Sequence, residues 1–538
     1  MRPSQPPDPI AILAPLALWF ALSLAIGLPA HAEALFDRWH LALSAEVGGL
    51  MLVAALAAAR GRRPGPLALA PVAAGFALVV LLRLADMAAH RTAGRPFDPS
   101  FDFALMPALW EVVTATVPAP VLGVGLAATL AAIAGVAWLL VTASTGAVAR
   151  PGAARLLAGA LVALTLAQGT AMLAGSGWQP FQPLDRGLLA LLDAHAVRYA
   201  RAANLRAASE AALATDPVGA IPLDRRLSAL AGRDVIIVWI ESYGRAAVTD
   251  PRHAPLLAAR LAESEAALAA AGFRSLSGLM ESPVLGGRSW LAHGTFRSGV
   301  AMPEPPVQAM VLASGRRSLV HAFAEGGWRT VAVGPALSRP WPEGTLWGFD
   351  RVLRQGDLGY AGPAFGWSPM PDQFVLDRVE ALGLREAGRP VYLEIALTTS
   401  HAPWTPLPPW VPGGTSADGA EFAAPAPAPD YADMAGGYAR SLDYSLRAAV
   451  DWLTRAVTDD ALVFLIGDHP AVPWIAGETQ DRTVPWHVIS RDPDILDRLA
   501  GWGLSPGMRP DPEAPVTPMW DVAPRLLDAF SPEPPPGA

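Results

Sequence analysis

The amino-acid sequence predicts an N-terminal bundle of about five transmembrane helices followed by a three-layer α/β/α domain. Long apolar runs are concentrated before about residue 175, whereas short β-rich runs alternate with amphipathic helical stretches after residue 231. The mean hydropathy of +0.31 and the 16% share of charged residues are unusual for a soluble chain. This composition excludes a fully disordered protein.

Five apolar runs in the first part of the chain each approach the roughly 20 residues that cross the hydrocarbon core of a bilayer. They lie near residues 11–29, 41–58, 66–85, 120–142 and 155–174. We therefore predict a transmembrane domain over residues 1–178. A cleaved signal peptide is the alternative for the first run, but the runs that follow it favour an uncleaved anchor.

The arginines predict the orientation of these spans. Arg60, Arg62 and Arg63 follow the second run, and Arg150 and Arg155 separate the fourth from the fifth. Loops that carry positive charge stay in the cytoplasm. An odd number of spans then leaves the rest of the chain outside, so we expect a multi-pass protein of the cytoplasmic (inner) membrane with an extracytoplasmic, periplasmic domain.

Three segments follow the predicted spans. Residues 179–230 are rich in alanine in a helical pattern with charges on one face, which predicts a juxtamembrane helical linker. Residues 231–530 predict one large α/β domain. The proline-rich residues 531–538 predict a disordered tail.

Four short apolar runs in the large domain predict buried parallel strands. They lie at residues 234–240, 328–334, 391–398 and 461–467. Helical patterns at residues 255–271 and 437–456 supply the alternation of a doubly wound sheet. Ligands of such sheets gather at the carboxyl ends of the strands, so the residues that follow each run are candidates for function.

Acidic and imidazole side chains follow three of these runs. Glu241 follows the first, His401 comes shortly after the third, and Asp468 with His469 follows the fourth. A single Glu or His at a strand end is commonly structural. An Asp-His pair directly after a buried strand loses hydration unless it is paired or bound to a metal, which makes it a candidate metal site.

The segment at residues 281–300 predicts a tight turn followed by a helix. Gly286 and Gly287 permit the turn, and Ser289 can cap the first turn of the helix. Backbone N–H groups and the helix dipole favour an anion there, so a phosphate attacked by Ser289 would be partly neutralised. An ordinary N-cap serine is the alternative. Because the chain has no cysteine, a nucleophile must be an oxygen or a nitrogen.

This constellation resembles the alkaline-phosphatase/sulfatase superfamily, and within it the membrane-anchored branch that is lipoteichoic-acid-synthase-like and phosphoethanolamine-transferase-like. The resemblance covers about residues 231–530 and implies a sulfatase-like (alkaline-phosphatase-like) α/β domain. The positions that match the family's acidic ligand, nucleophile, downstream His and late Asp-His pair are Glu241, Ser289, His401, Asp468 and His469. Smaller matches in the expected order are Ser298-Gly299, Gly348-Phe349-Asp350, Pro371-Asp372-Gln373 and Trp520-Asp521-Val522-Ala523-Pro524.

The resemblance implies a site with one divalent metal ion. Glu241, Ser289, Asp468 and His469 would hold the ion, and this oxygen-rich set with one imidazole suits Mn²⁺, Mg²⁺ or Zn²⁺. Ser289 would be the nucleophile that takes up the phosphate, with His401 as the second catalytic residue. The candidates for substrate binding are Arg245, Arg339, Trp341 and His293.

Departures from the family patterns bear on the substrate. True sulfatases have a C/S-x-P-x-R motif, but residues 289–293 read SWLAH, which disfavours sulfate-ester hydrolysis. Ser289 stands where the transferases usually have Thr, and His293 where the synthases have an acidic residue. Arg339 and Trp341 occur in the reverse of the order that lipoteichoic-type enzymes use to hold glycerol phosphate. Phosphoethanolamine transferases typically carry disulfides, so the head group stays open.

We therefore expect a metal-dependent phosphotransferase that moves a phosphoglycerol or phosphoethanolamine group from a phospholipid to an envelope glycan, lipid or polymer through a phosphoseryl intermediate. A tethered domain would meet its lipid donor by lateral diffusion. The alternatives are a phosphodiester or sulfate-ester hydrolase and a catalytically silent membrane scaffold. A transporter would need more polar residues in its spans than Glu46. The net charge of -8 gives no reason to expect a nucleic-acid partner.

Overall fold

The computed structural model describes residues 9–26, 43–93, 117–173, 184–185 and 204–532, except 206, 386–387, 458–459 and 478–479, with isolated positions between 97 and 114. The chain divides into two compact units, Met1–Arg91 with Arg95–Asn204, and Thr92–Gly94 with Leu205–Ala538. Residues 186–203 of the predicted linker and 533–538 of the predicted tail lie outside the described residues, and residues 207–213 of the linker are helical.

Helices occur at all five apolar runs of the first unit. They are α1 (Pro9–Ile26), α2 (Ala45–Ala59), α3 (Pro66–Ala93), α4 (Ala119–Val148) and α5 (Ala153–Leu173). Among the described residues, two stretches are long and apolar enough to cross a membrane, Pro66–Ala89 in α3 and Ala119–Val148 in α4. The apolar parts of the other three are shorter, so the number of spans stays a prediction.

Glu46, the acidic residue within the second run, lies in the first turn of α2. Its carboxylate accepts a hydrogen bond from the Ser44 hydroxyl at 2.7 Å. Ser44 itself caps the helix by accepting from the Val47 N–H. An acidic side chain is favourable at this end of a helix, which accounts for Glu46 without a transport role.

The second unit is built on a mixed sheet of nine strands. Two-residue strands β1 (Leu43–Ser44) and β2 (Leu184–Asp185) pair with each other in the first unit, so the strands of the second unit are numbered from β3. They are β3 (Val235–Ile240), β4 (Arg274–Glu281), β5 (Arg329–Gly334), β6 (Arg351–Arg354), β7 (Val391–Leu397), β8 (Leu462–Gly467), β9 (Thr483–Ser490), β10 (Ser505–Pro506) and β11 (Val516–Pro518). The order is β10-β4-β9-β8-β3-β7-β5-β6, with β11 beside β4.

The four predicted strands are β5, β7, β3 and β8, and they are adjacent and parallel as predicted. The strands that the sequence did not predict make the sheet mixed rather than purely parallel. Strand β9 runs antiparallel to both β8 and β4, and β10 runs antiparallel to β4. The sequence signal of β9 was weak because Pro485 interrupts it. Its side chains are all buried, so it also lacks the alternation of apolar and polar residues that is common in antiparallel strands.

Alternate side chains of β3 enter two separate cores, which makes the unit three-layered as predicted. Ile236, Val238 and Ile240 pack in one core, whereas Val235, Ile237 and Trp239 pack in the other. Helices α7 (Ala254–Ala270), α12 (Asp372–Ala381) and α13 (Met434–Ala456) cover the first face, and α8 (Ser289–Ser298), α10 (Leu319–Glu325) and α16 (Met519–Phe530) cover the second. Each buried Ile or Val contributes about 1.5–3 kcal/mol.

Shorter helices complete the second unit. They are α6 (Ala246–Thr249), α9 (Pro305–Ala313), α11 (Glu343–Trp347), α14 (Pro473–Ala476) and α15 (Pro493–Asp497), with 3₁₀ turns at Ser228–Leu230, Gln355–Leu358, Ala420–Phe422 and Tyr431–Asp433. Helix α8 is the one that positions the candidate nucleophile, because Ser289 is its first residue.

Candidate active site

The carboxyl ends of three neighbouring strands meet at one edge of the sheet. Ile240 at the end of β3 lies opposite Leu397 of β7 on one side and Gly467 of β8 on the other. The residues that follow these ends are therefore brought together from distant parts of the chain. Glu241 continues β3, and Asp468 and His469 continue β8.

The structure brings together the four residues predicted as a metal site. The Ser289 hydroxyl donates to Glu241 Oε2 at 2.9 Å, and its oxygen lies 3.2 Å from His469 Nε2. His469 Nε2 is also 3.1 Å from Glu241 Oε1. Possible ligand atoms of Glu241, Asp468 and His469 all lie within 4.8 Å of one another. Ser289 does not cap its helix with its side chain; the hydroxyl is directed to Glu241 instead.

A residue with a left-handed backbone conformation, Ser242, shapes the loop behind this cluster. Ser242 has φ 59°, a conformation that costs a non-glycine residue about 1–3 kcal/mol and is typical of functional sites. In this conformation its N–H donates to Asp468 Oδ1 at 2.8 Å, and the N–H of His469 donates to the same oxygen at 2.7 Å. Two backbone donors thus occupy one carboxylate oxygen, and Oδ2 faces His469 Nε2 at 3.8 Å.

The turn before α8 is equally constrained. Arg288 is left-handed, with φ 64°, and its guanidinium donates to Glu304 at 3.0 Å and to the Pro303 carbonyl at 3.2 Å. Gly287, at φ 108°, takes the conformation for which the sequence suggested glycine. These contacts fix the direction from which Ser289 enters the cluster.

The imidazole of His469 is oriented by its other ring nitrogen. Nδ1 lies 2.8 Å from the carbonyl oxygen of Pro470, which can only accept a hydrogen bond, and the N–H of Gly287 approaches the same nitrogen at 3.3 Å. Nε2 is then the nitrogen presented to Glu241 and Ser289. A backbone carbonyl that binds the far nitrogen in this way is the usual means of orienting a metal-binding histidine.

The cluster is buried, and its charges perturb one another. Burial, reinforced by the charge of Glu241 and opposed by that of His469, raises the pKa of Asp468 to about 7. Burial also raises the pKa of Glu241, but the charge and hydrogen bond of His469 outweigh it and bring that pKa well below its usual range. Burial lowers the pKa of His469, yet Asp468 and Glu241 together raise it to about 9.

These residues fit a divalent cation. Two buried carboxylates repel each other, and a protonated imidazole supplies the compensating positive charge in their midst. A cation would replace that proton and relieve the repulsion. Two carboxylates, one imidazole and one hydroxyl also form a donor set that Mn²⁺, Mg²⁺ and Zn²⁺ accept.

His401 lies beside the cluster rather than in it. Its charge acts on Glu241, so the two side chains are near each other. Nδ1 of His401 lies 2.6 Å from the carbonyl oxygen of Ala402, and the ring stacks on Trp367 with 3.8 Å between centroids. Burial is the main reason why the pKa of His401 lies below its usual value.

A buried carboxylate, Asp372, anchors the segment that carries His401. Its Oδ1 accepts from the N–H groups of Thr398 and Thr399, and its Oδ2 accepts from the Ser445 hydroxyl at 2.6 Å. Burial raises the pKa of Asp372. The sequence marked Asp372 only as part of a short motif, and its role became visible with the loop that it organises.

Two of the predicted substrate-binding residues are arginines. The Arg245 guanidinium donates to the Pro512 carbonyl at 2.7 Å and lies 3.8 Å from Asp481. It lines a cavity of about 360 Å³ together with Pro470. Arg339 is exposed in the segment that follows β5.

The other two predicted substrate-binding residues lie near α8. His293 stacks on Trp239 with 4.2 Å between ring centroids, and its buried Nε2 has no hydrogen-bond partner among the described residues. Burial, reinforced by the charge of Arg297, holds the pKa of His293 well below its usual value. Trp341 contacts the Arg297 guanidinium, which lies 5.5 Å from its ring centroid. A substrate role for any of these four residues stays a prediction.

A buried ion pair that the sequence did not predict lies under the site. Arg297 near the end of α8 donates to Glu394 in the middle of β7 at 2.7–3.0 Å. The Tyr392 hydroxyl and Trp239 Nε1 donate to the same carboxylate at 2.7 and 3.2 Å. The available signal was a Glu inside a strand that is otherwise apolar. The pair attaches the helix that carries Ser289 to the sheet that carries the other cluster residues.

Residues 233–473 match the protein-family model described as Sulfatase. Similar solved structures include the lipoteichoic acid synthase LtaP of Listeria monocytogenes, with 13% identity over 50% of this chain and 69% of that chain and a TM-score of 0.35. The phosphoglycerol transferase GacH of Streptococcus pyogenes, in complex with sn-glycerol-1-phosphate, is 13% identical over 61% of this chain and 91% of that chain, with a TM-score of 0.37. The soluble domain of the lipooligosaccharide phosphoethanolamine transferase A of Neisseria meningitidis is 13% identical over 55% of this chain and 88% of that chain, with a TM-score of 0.35. No curated protein matches the chain.

Proposed function

We propose that this chain, whose residues 233–473 form a domain of the sulfatase family within the alkaline-phosphatase superfamily, is a metal-dependent phosphotransferase that uses Ser289 as its nucleophile. One observation carries the proposal. The Ser289 hydroxyl, at the N-terminal end of α8, lies within hydrogen-bond distance of both Glu241 and His469. A serine with only a structural role has no need of two such partners in a buried acidic cluster.

Glu241, Ser289, Asp468 and His469 would hold the metal ion. When bound, a divalent cation would lower the pKa of the Ser289 hydroxyl and neutralise charge on the phosphate. The chain itself supplies the geometry of attack. The hydrogen bond to Glu241 directs the hydroxyl proton away from the reacting face, and the start of α8 presents backbone N–H groups to the phosphate oxygens.

In the first half-reaction the Ser289 oxygen forms a bond to phosphorus, and the bond from phosphorus to the diacylglycerol oxygen breaks. The neutral imidazole of His401 takes up the proton that Ser289 loses and delivers it to the departing alcohol, so the ring ends this half-reaction neutral. In the second half-reaction His401 accepts the proton of an acceptor hydroxyl, which attacks phosphorus, and returns that proton to the Ser289 oxygen as the bond between this oxygen and phosphorus breaks. Proton transfer of this kind typically contributes about 10²–10⁴-fold in rate.

The apolar helices of the first unit support a lipid-linked donor. We propose that residues 1–178 anchor the chain in the cytoplasmic membrane, that residues 179–230 form a linker, and that residues 231–530 form the extracytoplasmic catalytic domain. The head group of a phospholipid lies at the surface of the same membrane. The donor would carry phosphoglycerol or phosphoethanolamine, and the acceptor would be an envelope glycan, lipid or polymer.

The test is a transfer assay with the full chain in lipid nanodiscs. Head-group-labelled phosphatidylglycerol or phosphatidylethanolamine is supplied with Mn²⁺, Mg²⁺ or Zn²⁺, and diacylglycerol release is followed with the fate of the label. We expect release that EDTA abolishes and that Ser289→Ala reduces by at least about 10³-fold. Ser282→Ala, which alters a serine bonded to the Asp468 carbonyl, is the matched control for loss of a nearby hydroxyl.

The destination of the label separates the transferase from the hydrolase. Label recovered on an added acceptor supports transfer, whereas label recovered only as free glycerol phosphate or phosphoethanolamine supports hydrolysis. Equal release by the parent chain and Ser289→Ala would overturn the nucleophile assignment. Such a result would leave a membrane-tethered scaffold as the better description.

A further inference from the structure

His401 is held by its backbone more firmly than by its own side chain. The preceding residues Thr398 and Thr399 are bound to Asp372, and the Ser400 hydroxyl donates to the Glu241 carbonyl at 2.7 Å. Among the residues that the structure describes, the imidazole is restrained by the hydrogen bond from Nδ1 to the Ala402 carbonyl and by the stacked ring of Trp367. A single hydrogen bond fixes one edge of a ring but leaves its plane free to tilt.

Trp367 fixes that plane. Its indole lies nearly parallel to the imidazole, at 24°, with 3.8 Å between centroids. With the Nδ1 edge engaged by a carbonyl that can only accept, the proton of the neutral ring lies on Nδ1. The Nε2 edge is then the one with a lone pair to offer a substrate proton.

The loop that carries Trp367 is built tightly against the same strand end. Phe365 and Ser368 exchange two backbone hydrogen bonds of 2.9 and 3.1 Å, which places Trp367 within a closed turn. The Ser368 hydroxyl donates to the Met370 carbonyl and accepts from the Thr398 hydroxyl at 2.8 Å. The turn that presents the indole is therefore attached to the strand end that presents His401.

Gly366 permits this close approach. It has φ 61°, and a Cβ at this position would lie 2.9 Å from the Thr405 carbonyl oxygen, in the loop that follows His401. The turn that carries Trp367 thus contacts the chain both before His401, at Thr398, and after it, at Thr405. The arrangement is that of a support for one side chain rather than of an open binding platform, because one face of the indole is already occupied.

We infer that Trp367 is a positioning residue, which holds the His401 imidazole in the orientation that presents Nε2 to the reacting phosphodiester. The inference rests on the proposed function and deepens it. Trp367 contributes to the rate through His401 and makes no contact with the substrate. Loss of the indole lowers kcat and leaves KM nearly unchanged.

The experiment uses the full chain in nanodiscs with head-group-labelled phosphatidylglycerol and phosphatidylethanolamine as probes. Variants are Trp367→Ala, Trp367→Phe, His401→Ala and the double variant. We expect Trp367→Ala to lower kcat by about 10–100-fold with KM changed by less than about 2-fold. Trp367→Phe keeps a stacking face and should recover most of the rate. On the His401→Ala background, Trp367→Ala should cost less than about 3-fold more.

A matched control is Trp410→Ala, which removes another partly buried indole that contacts Arg447 and Tyr444 and packs at the margin of the first core. It should leave kcat within about 2-fold. Trp367 binds substrate directly if KM rises with kcat unchanged, and its effect does not pass through His401 if the losses multiply in the double variant. Either result overturns the inference.

Ser289→Ala assayed in parallel separates the two proposals. Loss of activity in Ser289→Ala with full activity in Trp367→Ala refutes only the positioning role. Full activity in Ser289→Ala refutes the proposed function itself, whatever Trp367 does. Should Trp367→Ala fail to fold, Trp367→Phe and Trp367→Leu give the comparison of a stacking with a non-stacking side chain at the same position.

Discussion

Replacing Arg297 with Met should strongly destabilise the second unit, because it leaves Glu394 charged in the interior. The side chains of the pair are 6% and 2% exposed, and three donors converge on the carboxylate. After the substitution Tyr392 and Trp239 still donate, but the compensating charge is gone. Breaking a buried pair from one side typically costs about 3–5 kcal/mol.

The double-mutant cycle isolates the pair from the general cost of altering a core. Glu394→Gln retains an acceptor for Tyr392 but leaves Arg297 as an unpaired cation among Trp341, Trp347 and Phe349. Arg297→Met with Glu394→Gln removes both charges. We expect the double variant to be less destabilised than the sum of the single variants by about 2–3 kcal/mol.

The assay is urea unfolding of the full chain in detergent, followed by tryptophan fluorescence of the second unit. With a denaturant dependence of about 3 kcal/mol per molar, Arg297→Met should lower the midpoint by about 1–1.7 M. A cost of less than about 1 kcal/mol for Arg297→Met, or single-variant losses that simply add, would contradict a stabilising role of the pair.

Further substitutions test other parts of the structure. Asp468→Asn should weaken Mn²⁺ or Zn²⁺ binding, measured by calorimetry, by at least about 10–100-fold, and unchanged affinity would remove Asp468 from the metal site. Gly467→Ala should destabilise the second unit in urea, because a Cβ would collide with the Tyr243 carbonyl, whereas Gly356→Ala, which meets open space, is the control. Burial lowers the pKa of His487 to about 3, so the unfolded chain binds more protons between pH 3 and 6.5 and stability falls as the pH falls through that window. His487→Gln should therefore lose about 2–3 kcal/mol less than the parent between pH 7 and 4.5, and equal losses would contradict the assignment.

The parts of the fold that local patterns encode were predictable from the sequence. Strands β3 and β8 are continuous apolar runs and β7 is an apolar run interrupted by Glu394, and a parallel arrangement places the residues that follow them at one edge. That is why Glu241, Asp468 and His469 could be grouped although 227 residues separate the first from the second. The Gly-rich turn likewise pointed to Ser289.

The antiparallel half of the sheet was not predictable in the same way. The direction of β9 depends on its pairing with β4, more than 200 residues earlier, and neither strand carries an alternation that marks a solvent face. The support of His401 by Trp367 depends equally on tertiary contacts between two irregular loops. Loop-to-loop packing leaves no periodic signal in a sequence.

The residues of the candidate site could be predicted from their types and positions, but the contacts that each side chain makes could not. Glu394 was visible as a charge in an apolar strand, yet nothing in the sequence named Arg297 as its counter-ion. Arg245 follows a cluster residue closely in sequence but turns to Pro512 and Asp481. Proximity along the chain was a poor guide there, because the backbone turns sharply at Ser242.

Mass spectrometry of a trapped covalent adduct tests the nucleophile assignment most directly. The full chain in nanodiscs is incubated with phosphatidylglycerol or phosphatidylethanolamine and metal, using His401→Gln to slow discharge of the intermediate, and is then quenched in acid and digested. The account predicts that the peptide containing Ser289 gains the mass of one head-group phosphate, with fragmentation locating it on the Ser289 oxygen. An adduct on another residue, or steady release of diacylglycerol without any adduct, would contradict it.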